Sequence, residues 1–273
     1  MTFAQAFCGA ALLASTAAAG AASPAFPVKA KTAALGHLSS SLRLEYTDFS
    51  KLFGDRAVLT ANSRLRIGGS TRFGFSLAQG ERGNSTTRRH GTQGSAAVDH
   101  DWSDRLSTHT SASIASNGAI FAKRQFAQDI SYEIANGLVG TIGGNFSSYG
   151  DGNNVGTWSA GAAFYLRGAT LSYRYSLIAS ERLGRSHAHL ASVRVKDPRG
   201  SGSTQLWAGH GTSLYEVDLP RSANGKFTSV AVQRAQPVGG GVALNFGVNR
   251  AWYKTPTATY RGTGIVAGLS FSK

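Results

Sequence analysis

The residues of this chain best equipped for chemistry are a histidine and a serine two positions apart, His109 and Ser111, with Asn117 close behind. A base within hydrogen-bond reach of a hydroxyl is the minimum for nucleophilic catalysis, and in an extended chain residues two apart point to the same side. Ser107 and Ser113 share that side in a serine-rich stretch, so the spacing arises easily without a catalytic purpose. His187 and His189 also share a face, but they bring no companion ligands, and no metal site is expected from them. The glycine-rich run GGNFSSYGDGNN, residues 143–154, has no following helix to offer a phosphate its N-terminus and reads as a hairpin loop. No cofactor is expected.

Arginine is the more abundant resource. The 273-residue chain carries 28 Lys+Arg against 14 Asp+Glu, a formal charge of +14. Such an excess suggests a polyanionic neighbour without choosing one. What the arginines can do depends on the elements that hold them. In TLSYRYSLIA, residues 170–179, Leu171, Tyr173, Tyr175 and Leu177 share one parity, while Ser172, Arg174 and Ser176 share the other. A strand built this way has one apolar and one hydrophilic face. A soluble sandwich would bury the leucines in a dry core; a transmembrane barrel would turn them to lipid and keep Arg174 in a polar interior.

From His37 onward the same alternation recurs about fourteen times, in segments of roughly the ten-residue length that a tilted membrane strand needs. The connections decide the direction. Tight ones such as GGS (68–70), SDR (103–105), IANG (134–137), RG (167–168), DPRG (197–200) and PVGG (237–240) alternate with long polar ones such as ERGNSTTRRHGT, SERLGRSH and TSLYEVDLPRSANG. Short periplasmic turns alternating with long outer loops belong to an outer-membrane barrel. The expected fold is therefore all-β, a transmembrane antiparallel up-and-down β-barrel of about fourteen strands, with twelve as the alternative count. Tyr46, Phe49 and Trp252 near the long loops, and Trp102 and Phe164 near the turns, would form its interfacial girdles.

Composition agrees. Only 15% of residues are charged, against about 25% in soluble domains, and Gly is plentiful at 34. The first 22 residues carry no charge and run through FCGAALLASTAAAGAA, a secretory pattern without the usual basic start. The expected organisation is a signal peptide at 1–22, a short periplasmic lead-in at 23–36 and an outer-membrane barrel at 37–273. Cys8 falls in the removed segment, leaving no cysteine in the mature chain.

With lipid outside, the lumen-facing candidates are Arg43, Arg64, Arg66, Arg72, Arg174, Arg194, Glu45, Asp99 and Glu133, joined by Arg56, Lys196 and Asp129. They can pair across strands and plug the barrel, or line a passage that favours anions. A second group, Lys51, Arg82, Arg88, Arg89, Arg182 and Arg185, with His90, Lys123, Arg124 and Lys254, is expected in outer loops as anion-binding candidates. There the arginine fork suits the phosphates of lipopolysaccharide or an acidic polysaccharide.

The stretch WSAGAAFYLRGATLSYRYSLIASERLGRSHAHLASVRVKDPRGSGSTQLWAGHG, residues 158–211, resembles the YaiO family of outer-membrane β-barrel proteins. The resemblance rests on Tyr165 before its tight turn, Ser172, Tyr173, Arg174, Ser186, His189, Arg194 and the Gly209 and Gly211 pair, and extends with flanking strands over residues 37–271. It implies architecture and location, and it brings no catalytic residue. The expected function is a non-enzymatic outer-membrane protein associated with the envelope or surface polysaccharide, with passage of anions. Expected partners are outer-membrane lipid and lipopolysaccharide, the outer-membrane assembly machinery, to which the near-terminal Phe271 resembles a signal, and acidic polysaccharide. Nucleic acid is not expected. Two other classes remain: a secreted soluble β-sandwich that binds acidic glycans, and an outer-membrane lipid hydrolase using the His109, Ser111 and Asn117 group.

Overall fold

A computed structural model describes residues 38–50, 53–83, 87–118, 120–150, 152–182, 184–198, 202–213, 225–255 and 258–272. The expected signal peptide (1–22), the lead-in (23–36) and Lys51 lie outside these residues. Fourteen strands follow one another: β1 (Leu38–Phe49), β2 (Asp55–Ile67), β3 (Thr71–Gly83), β4 (Arg88–Asp101), β5 (Leu106–Ala115), β6 (Arg124–Ala135), β7 (Leu138–Ser148), β8 (Asn154–Leu166), β9 (Ala169–Ser180), β10 (Gly184–Lys196), β11 (Ser203–Ser213), β12 (Gly225–Gly239), β13 (Val242–Lys254) and β14 (Thr259–Ser272). Each pairs antiparallel with its sequence neighbours, and β1 pairs with β14 from Ser39↔Ser272 to Phe49↔Gly262, closing the sheet. Closure is what hydrocarbon demands, since no water is present there to satisfy an open strand edge.

The parity read from sequence sets the wall. Trp158 is 73% exposed and Ile114 69%, and Leu42, Phe75, Ile142, Leu177, Phe246 and Ile265 stand on the same outer face. Opposite them the polar residues turn inward, in the order the register dictates. Arg43 stands beside Thr60, Arg72 beside Asp99, and Arg174 beside Gly161. Two turns rely on glycine in the left-handed region: Gly68 at φ 66° and Gly168 at φ 97° reverse the chain where a Cβ would clash with its own backbone.

The long connections are shorter than their polarity suggested. In ERGNSTTRRHGT, β3 and β4 stay paired as far as Gly83↔Arg88. In SERLGRSH, β9 and β10 stay paired as far as Ser180↔Gly184. Polar side chains do not oppose strand pairing once the strands leave the membrane, so the hairpins continue outward as ribbons.

Candidate functional site in the lumen

The periplasmic half of the lumen is knit by ion pairs. Asp99 on β4 receives His109 Nδ1 at 2.7 Å and has the Nε atoms of Arg64 and Arg72 each at 4.0 Å. Arg72 also reaches Asp101 at 3.1 Å. Further round, Arg174 on β9 donates through Nε to Ser159 Oγ at 3.0 Å and through Nη2 to Asp129 Oδ1 on β6 at 2.5 Å. That bond spans two intervening strands, and glycine makes it possible. Gly161 and Gly143 occupy the wall between, and a Cβ on Gly143 would collide with the Asp129 carboxylate and come within 2.9 Å of the Arg174 guanidinium. Asp129→Ala should therefore leave Arg174 without its carboxylate. The expected loss is roughly 1.5–3 kcal/mol, the range for a hydrogen bond to a charged group, less whatever lumen water restores. The check is the urea midpoint of the barrel folded in vesicles.

The other expected lumen residues are placed as follows. Arg43 pairs with Glu45 at 2.7 Å along β1. Arg66 donates to the Gly69 carbonyl at 2.6 Å, and Glu133 accepts from the Gly137 backbone N–H at 3.2 Å, so both brace periplasmic turns. Arg194 donates to Ser203 Oγ at 3.1 Å, and Lys196 stands beside Ser203 in the same register.

Toward the extracellular mouth the lumen changes character. The β5–β6 connection turns inward, placing Ile120 (2% exposed) and Phe121 (5%) against Val58 and Ala78. Gly80 and Gly91 receive them, since a Cβ on Gly80 would lie 2.8 Å from both side chains. On the adjoining wall Phe49, Phe227, Tyr253 and Tyr260 pack with Ala188. The Phe53 ring stacks on Tyr260 at 4.1 Å, and Tyr260 stacks on Tyr253 at 4.7 Å. Phe49 thus leaves the expected girdle, because its parity differs from that of the outward Tyr46. Sequence reading missed this apolar layer, although the shared parity of Phe49 with Arg43 and Glu45 carried the signal.

The outer-loop group needs correction. Arg82, Arg88, Arg89 and Arg185 lie in strands, because the hairpins extend through the stretches read as loops. Arg88 and Arg89, adjacent in sequence, fall on opposite faces. Arg88 binds Glu81 at 2.8 Å and Asp55 at 3.4 Å on the outside, near His90. Arg89 faces inward, directly opposite Arg82, which is itself opposite Arg56. The three arginines form one row at the mouth, with the Arg82 guanidinium 5.5 Å from the Phe49 ring centre. Arg182 lies in the turn between β9 and β10, Lys123 just before β6, Arg124 at its start and Lys254 at the end of β13.

The catalytic candidates do not converge. His109 is committed to Asp99, Ser111 makes no hydrogen bond to it among the described residues, and the Asn117 amide donates to the His90 carbonyl at 2.9 Å. His187 and His189 stand on the outer face, His189 at 2.7 Å from the Tyr173 hydroxyl. Among the described residues no group of three or more His, Cys, Asp or Glu could hold a metal.

With this geometry in place, comparison with known proteins is informative. A family model described as the YaiO membrane beta barrel domain matches residues 39–218. Among solved structures, the CymD monoaromatic hydrocarbon channel superposes with a TM-score of 0.61 at 8% identity, covering 89% of each chain. A structure described as a bacterial polysaccharide outer membrane secretin superposes with a TM-score of 0.55 at 11% identity, covering 88% of this chain and 99% of that one. At these identities the structural likeness speaks for the barrel alone.

Proposed function

We propose, from the premise that this chain belongs to the YaiO family of membrane β-barrels and lies in the outer membrane, that it is a non-enzymatic envelope protein whose lumen is a narrow, normally shut conduit for anions. The carrying observation is the row Arg56, Arg82 and Arg89 on facing strands at the lumen mouth. Like charges directly opposite one another destabilise a sheet, and among the described residues Arg56 and Arg89 have no carboxylate partner. The charge on Arg56 and Arg89 costs stability unless anions visit it. Below it, inward arginines outnumber inward carboxylates along the wall, so an anion passing the mouth meets further guanidinium groups. Rings of fixed positive charge are how pores favour anions.

Export by residues 1–22, with the barrel beginning at 37, belongs to the same reading. So does contact with acidic surface polysaccharide, supported by Lys123, Arg182 and Arg185 at the loop ends. The test is planar-bilayer recording in a salt gradient. Reversal potentials should show preference for chloride over potassium, and Arg56→Ala with Arg89→Ala should reduce that preference. Cation preference in the unaltered protein would overturn the proposal.

A further inference from the structure

The outer face carries cations as well as the lumen, and they are distributed unevenly. On β2 to β4 the outward Arg88 is neutralised by Glu81 and Asp55. At the periplasmic end of β12, outward Arg234 is bound by Asp197, with Thr204 and Gln236 completing its shell. At the extracellular ends of β12, β13 and β14 the pattern breaks. Outward positions there form a grid: Lys226 faces Lys254, which faces Thr259; Thr228 faces Trp252, which faces Arg261; Val230 faces Arg250, which faces Thr263. None of these four cations has a carboxylate partner among the described residues. The Arg250 guanidinium lies 5.6 Å from the Trp252 ring centre, and its Nε is buried without a hydrogen-bond partner. The described carboxylate nearest by register is Asp48 on β1, opposite Thr263, and it forms no ion pair among the described residues.

We infer that this grid is a binding site for the phosphorylated headgroup of the outer-leaflet glycolipid. It lies just beyond the apolar band, where Phe246, Val248 and Ile265 on the same strands meet hydrocarbon. Trp252 marks the interface, as tryptophan does where acyl chains give way to headgroups. Lys226 and Lys254 have Cβ atoms about 5 Å apart, as directly opposed residues do, so their ammonium groups can close on one phosphate. Arg261 and Arg250 flank the tryptophan and offer planar forks to a second. The hydroxyls of Thr259 and Thr263 supply donors for the sugar, while Thr228 Oγ1 is shared with His210 Nδ1 at 3.0 Å. Periplasmic Arg234 has its anion in the Asp197 carboxylate; for the extracellular cations the lipid phosphates take that part.

The experiment uses the mature chain folded in neutral phosphatidylcholine vesicles, titrated with diphosphoryl lipid A, dephosphorylated lipid A and phosphatidylglycerol. Lys226→Ala with Lys254→Ala and Arg261→Ala forms the variant, and Arg105→Ala with Arg167→Ala, in two periplasmic turns, the control. Diphosphoryl lipid A should bind the unaltered protein and the control equally, and the variant about tenfold more weakly, as loss of three exposed ion pairs implies. Dephosphorylated lipid should bind all three weakly. Heat-modified gel mobility reports that each is folded. Equal binding of diphosphoryl lipid A to the variant, binding indifferent to phosphate removal, or phosphatidylglycerol binding as tightly as lipid A would each overturn the assignment.

Discussion

Ile142→Arg is expected to cost the folded barrel about 2–4 kcal/mol, the penalty for an arginine near the midplane of the lipid face. Ile142 sits in the middle of β7, opposite Ile130 on β6 and Ala160 on β8, and its side chain is 62% exposed on the outer face. Its sequence neighbour Thr141 points the other way, bonded to Ser131 Oγ at 2.9 Å inside the lumen. Thr141→Arg should therefore cost less than Ile142→Arg, because lumen substitutions keep water or polar groups around the charge. Urea titration of both variants in vesicles measures the difference. The order of the two identifies the apolar face, and the need for an amphiphile identifies what that face touches. In a soluble sandwich the apolar face is the dry core, and a charge at 142 would still be harmful, but the wild-type protein would need no amphiphile. Stability in vesicles with the penalty falling on residue 142 joins both halves of the orientation in one measurement.

How much could be read before the structure follows from which forces act locally. Lipid leaves no freedom to the outward face, so Leu171, Tyr173 and Leu177 announce their strand and its direction. Periplasmic turns such as the one at Gly168 are short because nothing but the reversal is required there. Arg174 was legible as an inward residue for the same reason, but its partner was not. Asp129 is three strands away, and the reach depends on two glycines whose significance appears only when β7 and β8 are laid side by side. The extracellular ends were misread for a different reason: beyond the membrane neither hydrophobicity nor polarity distinguishes a strand from a loop, so Arg82, Arg89 and Arg185 looked like loop residues. Ile120 and Phe121 carry no periodicity at all. Their place in the lumen is set by the space above Gly80 and Gly91, a tertiary fact.

Truncating the apolar layer should turn a quiet barrel into a conducting one. Tyr253 is held by rings on several sides, stacked on Tyr260 and tilted against Phe49 at 6.5 Å, and Phe121 packs on the adjoining wall against Val58 and Ala78. On the proposed reading, these contacts are what keeps the mouth shut. Tyr253→Ala removes a ring from a packed cluster at a cost of roughly 3 kcal/mol, the lower end for such truncations, since one side of the cluster borders the mouth. Tyr253→Ala with Phe121→Ala opens both walls. The expected recording is a change from rare, brief events to sustained openings, with the chloride preference kept because Arg56 and Arg89 are untouched. Tyr253→Phe should leave the barrel as quiet as the parent, since the ring rather than the hydroxyl fills the space. If the double truncation folds, shifts in gel mobility on heating and still passes no current, the periplasmic ion pairs around Asp99 and Asp129 are themselves a complete seal, and the lumen is a plug rather than a conduit.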